Sequence, residues 1–315
     1  MSNKFHKILK LLYILPGFIY FLKEKKVIFL IDGGLGSQMW QYAIGKSIEQ
    51  SCGMNVYFNM EFYEKSGKDL TGNNNRNWEL DKIFPNIKIN KANKYEIIFY
   101  KVFLNQKFDR KNVITKYHSE VLTMAKPRYL GQYYDNFKYF NQTGDFLHYL
   151  YSFDNKSFST ETIEFSNIIK NTICPIAIHI RRGDFLVIGG DKVTPSQYFY
   201  NSIEKMKSII NNKNNSELTF FIFSNDIAYC KELFNKRCEK FIFVDINTND
   251  SGAQDMYLMS LCHHFILSAS SFGWWAAFLS NNSEKTVIVP QKWRADELPE
   301  DQGRMYLDNW ICEYN

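Results

Sequence analysis

From Ile173 onward, short apolar runs alternate with longer stretches in which apolar positions recur at helical spacing. Ile176–Ile180, Leu218–Phe223, Phe241–Val244, Phe265–Leu267 and Thr286–Val289 read as strands. Gln197–Ile210, Ile227–Phe234, Ala253–Cys262 and Phe272–Leu279 read as helices, the first of them opened by a Thr194-Pro195 cap. Strands that alternate with helices predict an α/β fold whose parallel sheet is covered on both faces. A unit of the same kind starts at Val27–Ile31, breaks in Asp32-Gly33-Gly34-Leu35-Gly36-Ser37 and resumes as a helix over Gln38–Gln50. Between them, Gly67 to Phe165 is Asn-rich, aromatic and poorly periodic, which predicts short helices and long loops. At about 100 to 200 residues per domain, two domains are expected, 27–165 and 166–315, with a cleft between them.

The N-terminal residues 1–26 have their own pattern. Lys4, Lys7, Lys10, Lys23, Lys25 and Lys26 flank an apolar stretch, Leu11 to Leu22, interrupted by Pro16-Gly17. That stretch is shorter than the roughly 20 residues a membrane-spanning helix needs. It reads either as an interfacial anchor on an anionic inner membrane leaflet or as a first helix packed on the body of the protein. Six scattered cysteines without a C-x-x-C pair or a neighbouring His at ligand spacing predict a reduced, cytoplasmic protein with no metal centre.

The net charge of +5 carries no basic stripe, so a nucleic-acid partner is not expected. Aromatic residues make up 17% of the chain, more than packing requires, and flat rings suit sites that need an apolar face and a polar tip.

In parallel sheets ligands bind beyond the carboxyl ends of the strands, so the chemistry is sought there. After Ile180 come Arg181, Arg182, Gly183 and Asp184, with His179 still in the strand. Two adjacent arginines at that edge are costly to hold together unless an anion lies beside them, and phosphate fits. In an extended chain neighbouring side chains point opposite ways, so one arginine can face the ligand while a carboxylate braces the other. Ser224-Asn225-Asp226 follow the next strand and can cap a helix or bind a ribose or base. Ser268 to Ser271 precede Phe272, Gly273, Trp274 and Trp275, and serines at a helix start offer hydroxyls, N–H groups and the positive dipole end to an anion. The two tryptophans read as helix core.

The glycine loop lacks the third glycine of G-x-G-x-x-G, because Met39 holds that position, so dinucleotide binding is rejected. No G-x-x-x-x-G-K-S/T loop and no Asp-x-Asp pair occur. A diphosphate would have to be neutralised by arginine and helix ends.

His179-Ile180-Arg181-Arg182-Gly183-Asp184 resembles the H-x-R-R-x-D motif of the fucosyltransferase superfamily. Gly33 to Ala43 resembles the G-G-L-G-N-Q-M-F-Q-Y-A block of glycosyltransferase family 11, the bacterial-type α-1,2-fucosyltransferases. Arg76–Leu80, Phe223–Asp226, Asp255–Ile266 and Ser270–Trp275 resemble further blocks of that family in the right order. Three positions depart from it: Ser37 and Ala269 stand where the family usually has Asn, and Gly273 where it usually has Ser.

The resemblance implies a GT-B-like pair of Rossmann-like domains and metal-independent, inverting transfer of fucose from GDP-fucose to the 2-hydroxyl of a terminal galactose. The acceptor would be a glycan, lipid-linked or not, of a surface-polysaccharide pathway. No cofactor is implied, since GDP-fucose is a substrate. Arg181 is the candidate for meeting the departing diphosphate and Asp184 for base or arginine orienter. Gly34, Gly36, Ser37, Gln38, His179, Arg182, Ser224, Asp226, Asp255, His264, Ser270, Ser271 and the N–H of Phe272 are the remaining donor-site candidates. Two alternatives stay open: a fucosyltransferase of another linkage, and a non-catalytic nucleotide-sugar or glycan-binding protein.

Overall fold

The computed structural model describes residues 15–21, 26–65, 67–68, 72, 75–102, 113–183, 185–186, 194–214, 217–246, 252–294 and 297–314. The chain divides into two compact units. One comprises residues 1–68, 75–81 and 86–150, the other 69–74, 82–85 and 151–315. The division between Leu150 and Tyr151 falls earlier than the expected 165/166, because the helix at Thr160–Lys170 belongs with the second unit. Ser159 N there donates to Gln254 Oε1 at 2.8 Å, and Phe158 and Phe165 lie against Tyr257 and Phe221.

In the first unit, strand β1 (Lys26–Leu30) is flanked by β2 (Asn55–Asn59) and β3 (Arg128–Leu130), all parallel, in the order β2-β1-β3. Every residue of β1 is buried, as a central strand covered on both faces should be. Helix α1 (Leu35–Cys52) makes the β1–β2 crossover. It begins three residues earlier than periodicity alone indicates, because Leu35 and Gly36 form its first turn and only Gly33, at φ 80°, remains as the left-handed turn residue. β3 lies inside the stretch expected to hold only short helices and loops. Its three residues are too few to display a period.

Lys26, grouped by sequence with the basic N-terminus, is the first residue of β1. Its ammonium is buried 2.7 Å from Glu96 of helix α2 (Lys94–Val102) and 3.8 Å from the Tyr57 ring centroid. Residues 15–21 are helical, and Phe18 and Phe21 pack on Phe99 at 5.9 and 5.2 Å between ring centroids. Leu15 and Ile19 of the same turn are 63% and 49% exposed. Among the described residues no helix is long and apolar enough to cross a membrane.

The second unit is built on a six-stranded parallel sheet. After helix α3 (Thr160–Lys170) come β4 (Cys174–Ile180), α4 (Ser196–Asn214), β5 (Leu218–Ser224), α5 (Ile227–Phe234) and β6 (Lys240–Phe243). Then follow α6 (Gly252–Ser260), β7 (His264–Leu267), α7 (Ser271–Leu279), β8 (Val287–Pro290) and β9 (Ile311–Glu313). The spatial order is β9-β8-β7-β4-β5-β6. Numbered within the unit, this is 3-2-1-4-5-6, the doubly wound Rossmann order. Strand and helix positions follow the sequence pattern to within a few residues. The exception is edge strand β9, only three residues long. Ile176, Ile178, Ile180, Phe220, Ile222, Ile266 and Ile288 fill one face of the sheet with Tyr198, Phe199, Ile203 and Met206 of α4. Trp274 and Trp275 are core, as expected, and the Trp274 indole donates to Met305 O at 2.6 Å.

Candidate functional site

The strand order reverses between β4 and β7, neighbours paired at His179 and Leu267. In doubly wound sheets, ligands bind beyond the carboxyl ends of the strands at such a reversal. Arg181 and Arg182 issue from one strand there, and Ser268, Ala269 and Ser270 from the other.

Ser268 ties the two strand ends together. Its N–H donates to His179 O at 2.9 Å, its Oγ accepts from the Arg181 N–H at 3.1 Å, and the same Oγ lies 3.1 Å from His179 Nδ1. His179 is buried, and burial, aided by the Arg181 charge, pushes its pKa down to about 3, so the imidazole is neutral. A second cation beside Arg181 is thereby avoided.

Arg182 is braced. Its Nε donates to Asp226 Oδ2 at 3.0 Å, its backbone N–H to Asn225 Oδ1 at 2.9 Å, and its guanidinium lies 3.5 Å from the Tyr229 ring centroid. Asp226 also accepts from the Tyr229 N–H at 3.1 Å, capping α5, while its own N–H donates to Ser224 Oγ at 3.0 Å. Ser224, Asn225 and Asp226 thus serve to hold Arg182. Arg181 sits with its guanidinium carbon 5.4 Å from the Phe185 ring centroid. The alternation of an extended chain separates the two arginines: one is locked to Asp226, and the other comes from the strand position beside Ser268.

Ser270 is the N-cap of α7, its Oγ accepting the Phe272 N–H at 3.3 Å. The N–H expected to meet a ligand is here bonded to its own cap. The Phe272 ring instead lies 5.6 Å from the His179 ring. Ser271 opens α7 beside it, half-buried. Gly273 is pressed on His179: a Cβ there would come within 2.7 Å of Nδ1. A side chain at this position would therefore crowd the imidazole.

Asp255 lies in the first turn of α6, whose leading residue, Gly252, adjoins Phe272. His264 does not join the group. It pairs with Ile176 at the amino end of β7, and its Nδ1 accepts the Thr286 N–H at 3.0 Å, which joins β7 to the start of the neighbouring strand. Asp184 lies outside the described residues.

In the first unit, Gly34 is the N-cap of α1 and the Arg76 side chain lies along it, 3.7 Å from where a Cβ would be. Gly36 and Ser37 are in the first helical turn. Gln38 is buried and clamps the loop to residues 77–79: its Nε2 donates to Gly33 O at 3.2 Å and Asn77 O at 2.8 Å, and its Oε1 accepts the Glu79 N–H at 3.1 Å. That amide is engaged in holding the loop.

Sequence reasoning named Ser268 and Asn225 only as members of polar runs after strands, and it did not name Tyr229. Their roles depend on which strands are neighbours; Ser268 and Asn225 lie one residue beyond a strand, while Tyr229 lies inside α5, where spacing gives no signal.

A model of glycosyl transferase family 11 matches residues 27–314. The chain belongs to that family. It is 30% identical over 285 residues to an α-1,2-colitosyltransferase of Escherichia coli, covering 85% of this chain and 92% of that one. It is 28% identical over 153 residues to the O-antigen biosynthesis glycosyltransferase WbnK of Escherichia coli, 46% of this chain and 48% of that one. The galactoside α-(1,2)-fucosyltransferase 2 of Mus musculus is 27% identical over 109 residues, 33% of this chain and 30% of that one. As a family 11 glycosyltransferase the protein is an enzyme of sugar transfer.

Proposed function

We propose that the protein transfers L-fucose from GDP-fucose to the 2-hydroxyl of a terminal galactose, with inversion, in the assembly of a surface polysaccharide. The observation that carries the reading is that Arg181, at the end of β4, has its backbone N–H bonded to Ser268 Oγ at 3.1 Å, two residues before the N-cap of α7, where the order of a doubly wound sheet reverses. As the bond to fucose breaks, the diphosphate gains negative charge, and a donor whose hydrogen bonds strengthen at that moment lowers the barrier. Arg181 is that donor. Arg182, fixed by Asp226 and Tyr229, keeps the strand end rigid, and Ser271 with the α7 dipole receives the diphosphate from the other strand.

Incubation of purified protein with GDP-fucose and a panel of β-galactosides, with linkage analysis of the product, tests the proposal. Release of GDP with an α-1,2 product is expected. Donor binding with no GDP release favours the non-catalytic alternative, and another linkage overturns the acceptor position.

Similarity to an α-1,2-colitosyltransferase favours a second reading, in which the sugar is the 3-deoxy counterpart of fucose. Parallel assays with GDP-fucose and GDP-colitose separate the two.

The exposed Leu15 and Ile19, next to a lysine-rich terminus, support a peripheral contact with an anionic membrane surface from the cytoplasmic side. Co-sedimentation with anionic but not neutral vesicles, weakened in Ile19→Ser, is the expected result.

A further inference from the structure

Strand β5 ends in Ser224, and Asn225 and Asp226 follow it, each with a different task. Ser224 hydrogen-bonds the buried Cys230 thiol, and its Oγ accepts the Asp226 N–H at 3.0 Å. Asp226 spends Oδ2 on the Arg182 Nε at 3.0 Å and Oδ1 on the Tyr229 N–H at 3.1 Å. Asn225, between them, is exposed, and its Oδ1 accepts the Arg182 N–H at 2.9 Å.

That one bond orients the amide. Asparagine has an acceptor end and a donor end, so with Oδ1 held by the end of β4 the outward end is Nδ2, with two N–H groups. It lies over Gly183, 2.3 Å from where a Cβ would stand. Gly183 has a φ of 62°, so the lack of a side chain there serves both the turn and the amide. Among the described residues Nδ2 has no hydrogen-bond acceptor, and Asn225 stands open to solvent.

The place of this donor in the sheet is equally specific. In doubly wound sheets that bind nucleotides, a side chain beyond the first strand–helix unit takes the ribose 2′-hydroxyl, ordinarily through a carboxylate. Here that first unit is β4–α4, and β5 is the strand to which it leads. β5 is the neighbour of β4 on the side away from β7, about 4.8 Å across. A nucleotide with its diphosphate beside β4 and β7 therefore reaches the β5 end with its ribose. The carboxylate at that end, Asp226, is engaged at both oxygens, and the exposed amide is the group left for a sugar hydroxyl, which accepts as readily as it donates.

We propose that Asn225 Nδ2 donates to the ribose 2′-hydroxyl of the donor nucleotide and so selects a ribonucleotide over its 2′-deoxy counterpart. The proposal rests on the transferase reading above, and all its parts lie in the second unit. The ribose is unchanged by transfer, so the bond is alike in ground and transition states and acts on binding rather than on bond breaking.

The test is calorimetric titration of the full chain with GDP and with 2′-deoxy-GDP. The wild type is expected to favour GDP about tenfold, the scale of one neutral hydrogen bond, and Asn225→Ala to bring that ratio close to one. The substitution also removes the acceptor of the Arg182 N–H, but that loss weakens both nucleotides alike and leaves their ratio where it was. The ratio thus separates recognition of the ribose from support of the strand end. Asn225 is exposed, so the variant is expected to melt near the wild-type temperature. Equal affinity of the wild type for the two nucleotides, or an undiminished preference in Asn225→Ala, overturns the assignment. Failure of the transferase reading shows separately, as absent fucose transfer beside a preference for GDP that Asn225→Ala abolishes.

Discussion

The hydroxyl of Ser268 sits 3.1 Å from Nδ1 of His179, on the adjacent parallel strand. Because the same oxygen accepts the Arg181 backbone N–H, one small side chain fixes both the imidazole and the point from which the arginine departs. Ser268→Ala leaves this buried pair short of a partner, a loss of about 1–3 kcal/mol. A lowered urea midpoint together with reduced turnover is expected; an unchanged midpoint would show the hydroxyl to be dispensable.

Arg181→Ala should behave differently. The bond to Ser268 uses the backbone N–H, which survives the substitution, so thermal stability stays near wild type. Transfer should fall by about 10²–10³-fold, the range seen when a donor to a developing anion is removed. Retained turnover would take this guanidinium out of the chemistry.

Gly273→Ala drives a Cβ to 2.7 Å from His179 Nδ1, against a buried ring with little room to move. Overpacking of this kind costs about 1–3 kcal/mol. Differential scanning calorimetry should show a lower Tm for Gly273→Ala and for Gly273→Ser, even though Ser is the usual residue of the family motif.

The depressed pKa of His179 has a sign that can be checked. With a folded value of about 3 against an ordinary 6.5, the unfolded chain binds the proton more readily between those values. The contribution is therefore complete above pH 6.5 and is lost as pH falls towards 3, on the order of 1–2 kcal/mol between pH 6.5 and 5. Denaturation midpoints of the wild type at pH 7 and 5, compared with those of His179→Gln, isolate it: the variant should lose less stability over that interval.

Asp226→Ala removes an N-cap and the brace of Arg182 in one change. About 1–2 kcal/mol of stability should go with the cap. Donor Kd measured by calorimetry should rise through the freed Arg182, whereas Asp226→Asn, which keeps the cap, should affect mainly the donor.

The strands and helices of the second unit were legible because each is long enough to show a period, and the residues after β4, β5 and β7 could be named as site candidates from position alone. The place of His264, at the amino end of a four-residue strand and bonded to the Thr286 N–H, depends on register that its block does not reveal. β3 and β9, three residues each, left no periodic trace. The N–H of Phe272 was expected to face a ligand; whether a helix-start amide is spent on its own cap depends on a local rotamer that no spacing reveals.

By itself, the sequence determined what is local: which segments extend or coil, where glycine opens a turn, and that two arginines end a buried strand. These follow from periodicity and from the cost of burying charge. Only the tertiary structure decided which arginine Asp226 holds, that Ser268 joins His179 to Arg181, and that Tyr133, 101 positions from Asp32 along the chain, shares its oxygen. Partners brought together by strand order and register have no signature in sequence distance, because hydrogen bonds act over about 3 Å of space and the chain returns to that space from any distance.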